Sequence, residues 1–103
     1  MVLAFIAGTA VARDHHSVLR QYGIHGYMTQ GGFFIDQVYG GSEAQDDGLM
    51  VADLIVRGNG DLIREADDVA EDLVNSRLGR GEAVFLVRKN RSGRFVQVIA
   101  TGR

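Results

Sequence analysis

The stretch Gly41-Ser42-Glu43-Ala44-Gln45-Asp46-Asp47-Gly48-Leu49-Met50-Val51-Ala52-Asp53-Leu54-Ile55-Val56-Arg57-Gly58-Asn59-Gly60 decides the fold. It runs from a small-residue turn through a one-turn helix signal to a Gly-Leu stop, then a strand that reads as buried, then an Asn-Gly turn. Gly48 stands where the short helix has to end. Glycine alone enters the left-handed conformation cheaply, which lets Leu49 fold back onto a core. Asp53 precedes the apolar run Leu54-Ile55-Val56, and Asn59-Gly60 is a strong hairpin signal.

Upstream, Asp14 is placed to cap a helix over 15–22, with Val18, Leu19 and Tyr22 on one side and Gly23 ending it. Residues 26–32 read as a glycine-rich connection, and 33–38 alternate as a strand. Before the helix, 3–12 are apolar and small, and read as a loop feeding a strand. Downstream, Leu62-Ile63 is a brief extended piece. The spacing then predicts a helix over 65–78, with Ala66, Val69, Ala70, Leu73, Val74 and Leu78 on one stripe. Its acids gather early and Arg77 late, the polarity a helix dipole favours. Two last strands, 83–87 and 95–100, flank the basic segment 88–94, which reads as a solvated hairpin tip.

At 103 residues the chain, 1–103, is expected to be a single domain, large enough for one core. A share of 46% hydrophobic and 23% charged residues is ordinary for a globular protein. Absent cysteine excludes disulfides and thiolate metal sites. Proline is absent too, and nothing in the sequence explains it. The net charge is -2, but eleven of the thirteen acids lie within 36–72 and seven of the eleven basic residues from Arg77 onward. That basic end falls on a hairpin tip, so no nucleic-acid partner is expected. The opening 1–12 superficially resembles a secretory signal, yet it lacks a basic start and is short, so it is read as part of the fold. No run reaches a membrane-spanning length, and no membrane insertion is expected.

The order of parts resembles the PDZ domain in the form carried by bacterial HtrA-type serine proteases. Matching residues are Gly41, Ser42 and Ala44, then Gly48-Leu49, Asp53-Leu54-Ile55 and Asn59-Gly60. Glu43 replaces the family's usual proline and Ala52 its usual glycine. The opening 6–14 is similar to the start of the second PDZ domain of DegP- and DegQ-like members, and Leu86-Val87-Arg88 with Arg94-Phe95-Val96 to their last hairpin. The resemblance implies an α+β, PDZ-like partly open β-barrel or sandwich of five to six strands, capped by two helices, in the permuted bacterial strand order.

It also implies a peptide-binding module that adds hydrophobic C-terminal or extended segments as a strand. The carboxylate-binding loop maps to Phe5, Ile6, Ala7 and Gly8, and the pairing strand to Thr9, Ala10, Val11 and Ala12. The opposite wall is the second long helix, with Ala66 and Ala70 facing the groove and Leu73 or Val74 deeper. For Leu73 and Val74 core packing and groove lining stand as equal alternatives. Implied partners are protein C-termini, unfolded segments and other domains of a parent protease, in the bacterial periplasm or cell envelope. The competing expectation is a structural or oligomerisation domain with a closed groove.

No cofactor, metal site or catalytic group is expected. His15, His16 and His25 do not form a ligand cluster, since adjacent helical residues point about 100° apart. Neither Ser17 nor Ser42 lies in a nucleophile motif. Asp46-Asp47, Asp67-Asp68 and Glu71-Asp72 read as solvated faces and helix-start acids. The chain is therefore expected to be no enzyme in itself, although a parent would carry its protease triad elsewhere.

Overall fold

The computed structural model describes residues 15–79 and 81–100. Within them the order is α1 (His15–Tyr22), β1 (Ile24–Thr29), β2 (Gly32–Val38), α2 (Glu43–Asp46), β3 (Leu54–Gly58), β4 (Asp61–Leu62), α3 (Ala66–Arg77), β5 (Ala83–Arg88) and β6 (Phe95–Ala100). The sheet is six-stranded and antiparallel in the order β1-β2-β3-β5-β6, with β4 hung on β3. It is an open sheet with helices against it, the expected α+β class, with three helices among the described residues rather than two.

The deciding stretch folds as read. Ser42 caps α2 by accepting the Gln45 N–H. Past α2, Gly48 adopts φ +97° and donates to the Gln45 carbonyl, while the Leu49 N–H reaches the Ala44 carbonyl. That pair of bonds is the Schellman closure, and it leaves Leu49 2% exposed in the core. Asn59 and Gly60, both at positive φ, turn β3 into β4.

Residues 26–32 correct the expectation of a connection. Ile24–Thr29 is a strand, paired with β2 through a two-residue turn at Gln30-Gly31. Thr29 locks that turn: its hydroxyl donates to the Gly32 carbonyl and accepts the Gly31 N–H. Gly26 sits at a bulge, where a Cβ would come within 2.1 Å of the Phe34 carbonyl oxygen. At Gly32 a Cβ would likewise come within 2.5 Å of the Ile55 carbonyl oxygen, so these two glycines stand where the strands approach too closely for side chains.

The core joins Tyr22, Ile24, Phe33, Ile35, Ile55, Phe85 and Val87 to Val69 and Leu73 of α3. Helix α3 starts one residue after expected and ends one before. Leu78, assigned to its buried stripe, is 59% exposed, whereas Ser76 is buried and its hydroxyl bonds the Leu73 carbonyl. The basic hairpin is also corrected at one position. Lys89 turns inward to the Asp53 carboxylate and the Gly48 carbonyl, while Asn90 and Arg91 are exposed.

Candidate functional site

Helix α3 is the wall expected to flank a peptide groove, and α1 lies along it. His15 Nδ1 stands 2.5 Å from Asp67 Oδ1 near the start of α3. Arg77 near its end donates to Gln21 Oε1 at 2.8 Å and pairs with Glu43 at 3.3 Å. The two helices therefore run side by side in the same direction. Helix α1 also packs on β1.

Between α1 and α3 opens a cleft of about 440 Å³. Val18, Ala70, Val74 and Leu78 supply its apolar lining, and His15, Glu65, Asp67, Asp68 and Glu71 its polar lining. The expected wall residues separate here. Val74 is half-buried and lines the cleft, Ala70 touches the cleft from the core at 5% exposure, and Ala66 is half-buried against the core. Leu73, 1% exposed, belongs to the core. Phe5, Ile6, Ala7, Gly8, Thr9, Ala10, Val11 and Ala12 lie outside the described residues.

Strand β1 is an edge of the described sheet, paired on one side with β2. It begins after Gly23, whose φ of +115° turns the chain from α1 and whose Cα lies against Ser42. The sequence reading missed this edge because Gly26 and Gly31-Gly32 hid the strand. The available signal was the two-residue spacing between Thr29 and Gly32, a hairpin length.

A second hollow, about 480 Å³, lies between β3, β4 and α3, lined by Arg57, Asp61, Arg64, Asp68, Glu71 and Asp72. Partial burial raises the Asp72 pKa above the ordinary carboxylate value, and the negative charges of Glu71, Asp68 and Asp61 add to the shift. Asp68 has a structural task, accepting the N–H groups of Arg64 and Glu65 at the start of α3. Among the described residues no group of three histidines, cysteines or carboxylates is placed to hold a metal. His25 meets Asp36 at 2.6 Å on the exposed sheet surface, and Ser42 is occupied as a helix cap.

In sequence the chain matches no family profile, and no curated protein matches it. In structure it is similar to the HtrA3 PDZ domain, determined bound to a phage-derived ligand, FGRWV. The TM-score is 0.57 at 20% identity, over 78% of this chain and 88% of that one. The likeness shows a PDZ-like fold.

Proposed function

We propose that this chain is a non-catalytic peptide- and protein-binding module that captures hydrophobic C-terminal or extended segments by β-strand addition. The observation that carries the reading is the open cleft on α3, where Val18, Val74 and Leu78 offer apolar surface beside the acidic residues Glu65, Asp67, Asp68 and Glu71. The structural neighbour holding a short peptide supports it. The edge that receives the segment is proposed to be 9–12, with 5–8 as carboxylate loop, or the outer side of β1. Ala66 leaves no histidine to select a ligand hydroxyl. The parent is proposed to be an HtrA-type protease of the bacterial periplasm or cell envelope, with the module as its substrate-binding or regulatory part.

Titration of FGRWV with a free and with an amidated C-terminus tests the reading. Micromolar binding is expected for the free acid, because a short added strand buries little area. Equal binding of both removes the carboxylate loop from the account, and no binding of either removes peptide capture. Val74→Trp, which fills the cleft from a half-buried position, is expected to weaken binding by about tenfold or more, the scale of one lost apolar contact.

A second reading is a structural or oligomerisation domain with a closed groove, and the seating of α1 on α3 favours it. It expects no peptide binding and a mass that rises with concentration in sedimentation.

A further inference from the structure

We infer that the outward face of the sheet, centred on β5 and β6, docks on the acidic side of α3 in a second copy of this chain, so that copies join head to tail. The inference does not depend on peptide capture, and it names surfaces that neither reading of the groove assigns.

Register is the first argument. Tyr27 pairs with Phe34, Phe34 with Leu54, Leu54 with Arg88 and Arg88 with Phe95, in one row across five strands. At a strand spacing of about 4.8 Å the row is about 19 Å wide. The rings of Tyr27 and Phe34 pack with centroids 5.4 Å apart. Cross-strand partners share a face and side chains alternate along a strand, so Val84, Leu86, Gln97 and Ile99 stand on the same side as Arg88 and Phe95. The other side carries Phe85, Val87, Val98 and Ala100, all buried in the core. An antiparallel sheet with one face in water alternates apolar and polar residues. Strand β5 is instead apolar on both faces as far as Arg88, and Tyr27, Phe95 and Ile99 are exposed. A continuous apolar patch of this kind marks a contact surface.

Charge selects the occupant. Residues 83–100 hold four cations and no acid. Lys89 is taken up by Asp53, whereas Arg88, Arg91 and Arg94 make no ion pair among the described residues. Arg88 stands in the row itself, so a fitting partner brings carboxylates beside apolar groups. Residues 65–72 hold five acids and no cation. Glu65, Asp67 and Glu71 are exposed there, with half-buried Val74 and exposed Leu78 farther along. The chain thus carries the complement of its own sheet face. Packing that face on itself is disfavoured, because it brings the arginines of two hairpins together.

Placement sets the form of the assembly. Helix α3 packs on β3 and β5 from the core side, so its exposed acids and the outward face point away from each other. A pair of copies therefore leaves a free face at one end and a free helix at the other. Such a heterologous contact keeps growing unless its rotation closes a ring.

Sedimentation of the full chain is the test, run without peptide because the acidic side of α3 includes the rim of the cleft proposed for peptides. Between micromolar and millimolar concentration the wild type is expected to pass the mass of a dimer, and raised salt to lower that mass. Arg88→Glu reverses the face and Glu71→Lys the helix; both residues are exposed, and thermal unfolding checks that each variant is folded. Either variant alone is expected to associate about tenfold or more weakly. Mixed, the two are expected to regain association, because a reversed face then meets a reversed helix and an unreversed face an unreversed helix. A monomer at every concentration overturns the inference and leaves the face to a foreign acidic partner. Association that survives Glu71→Lys or Arg88→Glu, or single variants that gain nothing on mixing, overturns the head-to-tail contact.

Discussion

Three residues carry local strain or charge that the fold has to accommodate. Ala52 adopts φ +74°, fixed by its N–H on the Ile35 carbonyl at 2.7 Å and by the Asp53 carbonyl accepting the Ile35 N–H. That is the position where the resembled family has glycine, and a left-handed Cβ is the physical reason. Ala52→Gly is expected to stabilise by about 0.5–1 kcal/mol, the relief of strain less the entropy of glycine, read by urea unfolding. Asp53, 1% exposed, accepts the N–H groups of Met50 and Asn90 and the Lys89 ammonium. Lys89→Met strands that carboxylate and is expected to cost about 3 kcal/mol. Asp72 binds its proton more tightly in the folded chain than in the unfolded one. Stability from this group is thus present at acid pH and falls as pH rises from the ordinary aspartate value through the raised one. Asp72→Asn is expected to raise Tm by about 2 °C at pH 7 and to leave it unchanged at pH 3, where both states are protonated.

At the scale of elements, legibility followed the range of the interactions. Helix α2, its glycine stop, β3 and the Asn59-Gly60 turn are set by bonds between near neighbours, and each was readable from spacing. Strand β1 was not, because Gly26 answers to Phe34, a cross-strand neighbour whose carbonyl leaves no room for a Cβ. Gly26→Ala is expected to destabilise by about 2 kcal/mol or more through that overpacking, measured by thermal unfolding. The inward turn of Lys89 depends on Asp53, which lies 36 residues away, and no local pattern encodes it. Leu78 was misplaced because α3 ends at Arg77 and the helical stripe stops with it. In the cleft, the family resemblance put Ala66 and Ala70 on the wall and left Leu73 and Val74 open between core and groove, and packing buries Leu73 while Val74 lines the cleft. Nothing in the sequence indicated that α1 would lie along α3.

Across the whole molecule the described sheet ends in two edges, β1 and β6, of unequal character. β6 exposes Phe95, Val96 and Ile99, while α1 packs on β1 and on α3. Recognition is proposed on the β1 side, with α3 as its wall. The most direct check is an amide NMR titration of the full chain with FGRWV. Shifts are expected at Val74 and its neighbours along the cleft face of α3, and along β1 or 9–12. Shifts confined to β6, or none at millimolar peptide, would contradict the assignment.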